Sequence, residues 1–538
     1  MVLLVKPTGD FPLNDDWSYG KTVEYLVKHG DLRYCGWNNM VLIAQVLWGA
    51  LFCLPFGFSF TALRMSTLVL GGLGVAATYG LLREMKASRL MAFLGCLVMA
   101  ANPIYFSLSN TFMTDIPFLG LALMSVYLLM RGLRRNSAVD MIGGVFLSIL
   151  AMFIRQTGIV IPAAFGVAYL WKKGLRIRTV PWAAIPTAAV AGSFLIYQHW
   201  LKVTGRLPDL WDQNTQRIHS CIAEGIKFMF TSIRIGTIVG LVYLGLFMLP
   251  FLIAGLPQIL RIGTRRQKAV SALVGLASLA GVTWWLSTRH LLLPFLGNIW
   301  YDLGLGPTTL RDTYVLDQPN QVTAPSTIWL ALTIAGCLGG GLLAYCLSLG
   351  LATFKRPAKD RDSLPGWALV LLWSVLILYW APLAVTSLSF GCFDRYLIPM
   401  MPFLMMLIVP IIRMPANRAF ITISLLVIAF YGAFSVGATH DYMAWNEARY
   451  EGLHDLLKSG VPPSKIDGGF EYNGWFLYNP YYTSKRFPNW WWAGDDDYVA
   501  TFNPIPGYRH FRSYPFRRWV PPGEGQILIL KRIRTATR

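Results

Sequence analysis

Six short stretches of this chain carry side chains able to do chemistry in an otherwise apolar sequence. "PLNDDWSYG" holds Asp15 and Asp16, "MVLIAQVLW" holds Gln45, "FTALRMS" holds Arg64, and "MTDIPF" holds Asp115. "FIRQTG" holds Arg155, and "GCFDRYLIP" holds Asp394, Arg395 and Tyr396. A carboxylate can orient or deprotonate a hydroxyl nucleophile. The planar fork of an arginine matches a phosphate. Each stretch also has a plain structural reading. Asn14 or Asp15 can cap a helix starting near Trp17, with Asp16 favoured in its first turn. Asp115 can cap a helix with Pro117 in its first turn. Arg155 can snorkel, and Asp394 with Arg395 can form a structural ion pair. What separates chemistry from architecture is whether these residues fall on one face, so the elements that carry them must be placed first.

The 538 residues are 55% hydrophobic and only 14% charged. Soluble domains carry nearer a quarter charged residues, so the composition is that of a membrane protein. At roughly 20 apolar residues per helical crossing, spans are expected near 59–82, 90–107, 116–131, 138–154, 158–171, 180–201, 236–259, 269–288, 324–352, 365–388, 397–412 and 419–438. The short pair 138–154 and 158–171 is expected to hairpin around "RQTG". Every second connection is basic: 83–89, 131–136, 172–178, 261–268, 355–361 and 413–418 together hold 20 Lys and Arg. By the positive-inside rule these face the cytoplasm. The net charge of +20 therefore marks topology and does not point to nucleic acid. The alternate connections, facing out, hold Asp15, Asp16, Asp115, Arg155, Asp394 and Arg395, with Arg64 at similar depth. Charges gathered at one membrane face imply a polar cavity there.

The expected fold class is therefore mainly α, a polytopic membrane protein with about 12–13 transmembrane helices and a small C-terminal extracytoplasmic α/β domain. Residues 1–58 read as a first outer loop with amphipathic juxtamembrane helices, the one after Asp16 lying on the membrane surface. "MVLLVKPTGD" does not read as a cleavable signal; its apolar residues are expected to be the tail of a first spanning helix that is missing. Residues 59–438 form the membrane domain and 439–538 the outer domain. There "HDYMAWNEARYEGLHDLLKSG" reads as a helix, and "KIDGGFEY", "DYVATFN", "YRHFRSYPF" and "GQILILKR" as short strands. The seven cysteines show no metal-ligand spacing; a disulfide among Cys35, Cys221 and Cys392 is an open alternative. "GDDD" (494–497) reads as a solvated loop in preference to a Ca²⁺ site. "NWWWAG" (489–494) reads as an interfacial belt slightly ahead of a sugar-stacking platform.

Four of these motifs, in order and in this topology, resemble the integral-membrane GT-C glycosyltransferases of the family-39 type. That group contains the protein O-mannosyltransferases and the aminoarabinose transferase that modifies lipid A. The acidic pair opens the first outer loop, and "FSFTALRMSTLVLGG" is similar to the family's Arg-Leu-Pro-Ser-Ala stretch. "TDIPFLGLALMSVYLLMR" resembles the second acidic motif, "LAMFIRQTG" the L-T-K-x-x-G turn with Arg155 in place of Lys, and "DRYLIPMMP" the R-Y-x-x-P-x-x-P element. The resemblance implies transfer of a sugar from a polyprenyl-phosphate-linked donor to an acceptor glycan, lipid or protein at the extracytoplasmic face. It implies Asp15 or Asp16 as base, Asp115 as second carboxylate, and Arg155, Arg395 and, as a weaker candidate, Arg64 on the lipid phosphate. Asp394, Tyr396 and Gln45 are secondary. It implies no cofactor, with a divalent ion at Asp15 and Asp16 less favoured, and no nucleic acid partner. A multi-pass location in a bacterial inner membrane follows, with the site and C-terminal domain outside. Two departures narrow the acceptor. The Lys-Pro-Pro of the aminoarabinose transferases is replaced by "MVLIAQVLW", which argues against lipid A. No outer loop can hold the β-trefoil of the protein O-mannosyltransferases, which argues against protein. The competing readings are a transporter or flippase for a lipid-linked or anionic substrate, whose charges would sit near mid-bilayer between inverted repeats, and a non-catalytic glycan-binding membrane protein.

Overall fold

The computed structural model describes residues 1–211, 213–319, 322–354, 364–413, 417–482 and 491–533. The basic connection 355–361, residues 414–416 of the connection 413–418, and Asn489 and Trp490 of the tryptophan run lie outside the described residues. Helices come first: α1 (Val2–Val5), α2 (Asp16–His29), α3 (Ile43–Cys53), α4 (Phe60–Glu84), α5 (Arg89–Ala100), α6 (Pro103–Ser109), α7 (Asp115–Arg135), α8 (Ala138–Met152), α9 (Val160–Lys173), α10 (Val180–Val203), α11 (Gln213–Ala223), α12 (Ile226–Arg261) and α13 (Arg265–Ser287). After a two-residue hairpin, β1 (Trp300–Tyr301) and β2 (Gly304–Leu305), follow α14 (Ser326–Phe354), α15 (Gly366–Phe390), α16 (Met400–Ile408) and the 41-residue α17 (Arg418–Lys458). The chain closes with β3 (Ile466–Asp467), α18 (Phe470–Leu477), β4 (Tyr498–Thr501), β5 (Tyr508–Trp519) and β6 (Pro522–Arg532).

All twelve expected spans fall on helices. Among the described residues eight are long and apolar enough to cross a bilayer: α4, α7, α10, α12, α13, α14, α15 and α17. The protein is a mainly α, multi-pass membrane protein. The span expected at 90–107 is broken: α5 and α6 meet at 66°. The cause is local, because Asn102 accepts hydrogen bonds from the amides of Ile104 and Tyr105 and Pro103 opens the new helix, a cap followed by a residue that cannot continue the old ladder. The remaining three, α8, α9 and α16, have 15, 14 and 9 residues. As expected from their length, α8 and α9 join through a single turn of 3₁₀ helix at Gln156–Ile159. Elsewhere Ser59, Ser88, Ser137 and Asn417 cap α4, α5, α8 and α17, and Thr264 with Gln267 forms a capping box on α13.

One continuous apolar core runs through the helices from Tyr19 to Ala438. Its tightest seam is α12 on α14. A Cβ on Gly339 would come within 2.3 Å of the Gly245 carbonyl oxygen, and one on Gly245 within 2.1 Å of the Gly340 amide. Small residues let the two backbones touch where the lipid offers no hydrophobic drive.

Helix α17 passes through residue 439 without a break and carries a second core at its C-terminal half, under a sheet ordered β3-β4-β6-β5. β3 pairs with β4 in parallel; the others are antiparallel. Two of the expected short strands are long, 12 and 11 residues. The expected strand "KIDGGFEY" is a strand only over Ile466–Asp467. Gly469, at φ 92°, turns the chain there and Phe470 starts a helix. Helix α2 does not lie free on the surface: Trp17, Ser18, Tyr19 and Gly20 are buried, and the helix packs between α3 and α18. Cys35 and Cys392 carry free thiols, so no disulfide joins any two of Cys35, Cys221 and Cys392. The "GDDD" run is not solvated throughout: Asp496 is buried and ion-paired with Arg311 and Arg532, and Asp497 lies 3.3 Å from Lys465.

Candidate active site

The adjacent aspartates point to different places. Asp15 is the N-cap residue of α2 but its carboxylate makes no cap. Instead one oxygen accepts the indole N–H of Trp37 at 3.1 Å and the other faces Arg395 Nη2 at 3.8 Å. Its side chain keeps 22% of its surface exposed. Asp16 is fully buried, and one oxygen accepts the amide of Leu13 while the other accepts that of Phe112 at 3.2 Å. It thereby ties the loop before Asp15 to the loop before Asp115. Burial pushes the Asp16 carboxyl up to about 8, against the pull of Arg64 and the two amides. Burial also raises the Asp15 carboxyl above its ordinary value, with Arg395 and the Trp37 hydrogen bond opposing it.

Asp115 opens α7 and is buried at 2% exposure. Its Oδ1 accepts from Arg155 Nη1 at 2.6 Å. Its Oδ2 lies 4.0 Å from Arg395 Nη1 and has no hydrogen-bond partner among the described residues. Arg395 is 6% exposed, and its Nε and Nη1 likewise lack a hydrogen-bond partner there. The ring of Tyr396 lies 5.5 Å from both guanidinium carbons. Its backbone carbonyl accepts from Tyr379 at 3.1 Å, and Tyr19 is buried beside the same four charges. So Asp15, Arg395, Asp115 and Arg155 form one chain of alternating charge.

Three expected members stand apart from that chain. Asp394 turns its carboxylate to the amides of Ile299, Trp300 and Arg395, at 2.7 Å for Trp300, and burial lifts its carboxyl to about 7. It fixes the loop beside Arg395 and forms no pair with that side chain. Arg64 is fully buried and donates to the carbonyls of Gly9, at 2.8 Å, and Phe11. Gln45 donates to the Phe112 carbonyl at 2.6 Å. All three hold backbone in place.

Two participants carried no local signal. Trp37 holds Asp15 and packs against Trp491 and Trp492, with its ring centre 5.1 Å from that of Trp492. These two members of the tryptophan run therefore sit over the first loop. Glu471 of α18, fully buried, accepts from the Asn14 amide at 3.1 Å, from Thr309 at 2.6 and 2.8 Å, and from Arg449 of α17 at 3.0 Å. Asn14 reaches it with a positive φ of 56°, which asparagine tolerates better than most residues. Among the described residues no group of three or more His, Cys, Asp or Glu is assembled to hold a metal ion.

Residues 45–199 match the family model described as dolichyl-phosphate-mannose-protein mannosyltransferase. No curated protein matches the chain significantly. Among solved structures, ArnT from Cupriavidus metallidurans bound to undecaprenyl phosphate is 13% identical, with 87% of this chain and 72% of that one covered at a TM-score of 0.42. The same protein in the apo state is 12% identical, with 98% and 96% covered at 0.40. The Archaeoglobus fulgidus oligosaccharyltransferase in the apo form is 13% identical, with 90% and 60% covered at 0.42. At these scores the three are likenesses and nothing more. The matched segment 45–199 carries Arg64, Asp115 and Arg155, and over it the chain is similar to a family of sugar transferases, which bears out the resemblance to the GT-C glycosyltransferases carried by its motifs.

Proposed function

We propose that this protein moves a sugar from a polyprenyl-phosphate-linked donor to an acceptor at the extracytoplasmic face of a bacterial inner membrane. The observation that carries the reading is Arg395: a buried guanidinium with two nitrogens lacking hydrogen-bond partners, set between Asp15 and Asp115. Such a group is costly unless something anionic completes it. The donor's phosphate is suited to that place.

In this reading Asp15, whose second oxygen is not held by Trp37, takes the proton of the acceptor hydroxyl as that oxygen attacks the anomeric carbon. The bond from that carbon to the phosphate oxygen breaks, and the phosphate leaves with the electron pair. Arg395 stabilises the growing charge, a contribution larger in a site that excludes water. Arg155 locks Asp115, and Asp115 with Asp15 aims the Arg395 fork. Asp16 is a positioning residue. The charge pattern supports this face: α7 runs from Asp115 to its basic Arg134–Arg135 end over about 30 Å.

The test is turnover of a polyprenyl-phosphate-linked sugar by the purified protein in nanodiscs, with membrane extract as acceptor. Asp15→Asn should cost about 10²–10⁴-fold in rate, and Arg395→Gln a comparable factor. Asp16→Ala strands two buried amides and should cost about 1–3 kcal/mol of stability for each, with a smaller change in turnover per folded molecule. Equal turnover in wild type and Asp15→Asn overturns the assignment.

A further inference from the structure

An apolar cavity of about 250 Å³ lies beside Trp300, between α12, α14 and α17. Leu246, Phe247, Trp329, Leu332 and Phe434 line it. The polar atoms in its wall are already used: the Trp300 indole donates to the Asp302 carbonyl at 2.9 Å, and the Tyr431 hydroxyl to the Leu246 carbonyl at 2.7 Å. Two of its rim residues, Ile328 and Phe430, are 46% and 62% exposed on helices that cross the membrane. An apolar cavity of about 150 Å³ stays dry and takes a benzene ring. A larger one open to the bilayer has room for a stretch of one hydrocarbon chain.

One end of this groove is bordered by the turn of the β5–β6 hairpin. Val520 lines the groove and packs on Gly437, where the apolar run of α17 ends. Val520 and Leu303 also line a second cavity of about 100 Å³ whose wall includes Asp441, Thr308 and Arg518. Asp441 is satisfied: its oxygens accept from the amides of Trp519 and Val520, at 2.7 and 2.8 Å, and from His440. Arg518 is not. One nitrogen donates to the Glu524 carbonyl at 3.0 Å, while its buried Nε has no hydrogen-bond partner among the described residues. Arg517 points to the opposite face of β5, exposed and across from Glu524, and Trp519 is 36% exposed. Glu524 is the one exposed acid across the hairpin turn. An apolar slot beneath a cationic, tryptophan-bearing turn has the order of chemistry of a lipid: chain below, anionic headgroup above.

We propose that this groove and hairpin turn bind one anionic phospholipid of the adjoining leaflet, a site separate from the Asp15–Arg395 chain. The lipid anchors the sheet to the membrane surface and fills the gap between α12, α14 and α17. The inference does not depend on the sugar-transfer reading.

Native mass spectrometry of the full chain, released from detergent with phosphatidylglycerol or phosphatidylcholine at matched concentration, tests it. Wild type should retain one phosphatidylglycerol in preference to phosphatidylcholine. Arg518→Gln should lower that preference about fivefold, the share of one arginine near an anionic surface. Leu332→Trp, which fills the groove, should abolish retention of both lipids. Circular dichroism and melting of each variant confirm that it is folded; Leu246→Phe serves if Leu332→Trp is not. Undiminished retention in a folded groove-filled variant overturns the proposal. So does stoichiometric displacement of the phospholipid by undecaprenyl phosphate, which would give the groove to the sugar donor's carrier. Failure of Asp15→Asn to affect turnover would leave these outcomes untouched.

Discussion

At the scale of the residue, the pair at Asp15 and Asp16 divides two tasks that one side chain cannot combine. Successive residues on a helix point about 100° apart, so adjacent carboxylates at a helix start face different surroundings. Asp16 faces inward and takes two amides from different loops. Asp15 faces the charged cluster and keeps one oxygen clear of Trp37. Its environment makes a pH prediction. Burial raises the Asp15 carboxyl, so the acid limb of activity should lie above the ordinary aspartate range, with turnover present above that pKa and lost as pH falls through it. The Trp37 hydrogen bond lowers the same pKa. Trp37→Phe removes it and should move the acid limb to higher pH. An acid limb unmoved in Trp37→Phe would separate Asp15 from the titration that governs the rate.

At the scale of the element, the site is held by parts far apart in sequence. Glu471 fixes Asn14, Thr309 and Arg449 at once, so α18 clamps the first loop, the loop after β2, and α17. Removing its charge leaves Arg449, which is fully buried, without its partner. Breaking a buried pair this way costs about 3–5 kcal/mol. Glu471→Gln should therefore lower the melting temperature and expose the first loop to protease, with activity falling because Asp15 loses its seat. The isosteric change alters no group in the charged cluster itself, so intact stability together with normal protease resistance would show that the clamp is dispensable. The α5–α6 break belongs to the same scale: it delivers residues 110–114, and with them the Phe112 amide, to Asp16.

At the scale of the whole molecule, two long-range constraints dominate. One is the α12–α14 seam, where Gly245, Gly339 and Gly340 leave no room for a Cβ. Because the obstructing atoms are backbone, Gly245→Leu cannot be relieved by a rotamer change. It should abolish a monodisperse preparation, read by size-exclusion chromatography in detergent; an unchanged elution profile would contradict the close packing. The other is α17, a single helix that spans the bilayer and then carries the sheet. Its 41 residues couple the apolar groove to the second core.

The sequence by itself determined the class of the molecule and where its apolar helices lie, because apolar length responds to the bilayer and needs no tertiary partner. It also singled out Asp15, Asp16, Asp115, Arg155, Arg395 and, more weakly, Arg64, since polar groups in so greasy a chain stand out one by one. It could not rank the acids. Whether a carboxylate faces a cavity or a backbone amide depends on loops that meet only in the fold, as Leu13 and Phe112 meet on Asp16. Nor could it find Glu471, an ordinary acid in a stretch that reads as strand, whose importance comes from a contact spanning 457 residues. Tertiary structure decided those roles for a physical reason: burying a charge is unfavourable unless its partners are assembled around it, and the partners here lie on separate elements of the chain.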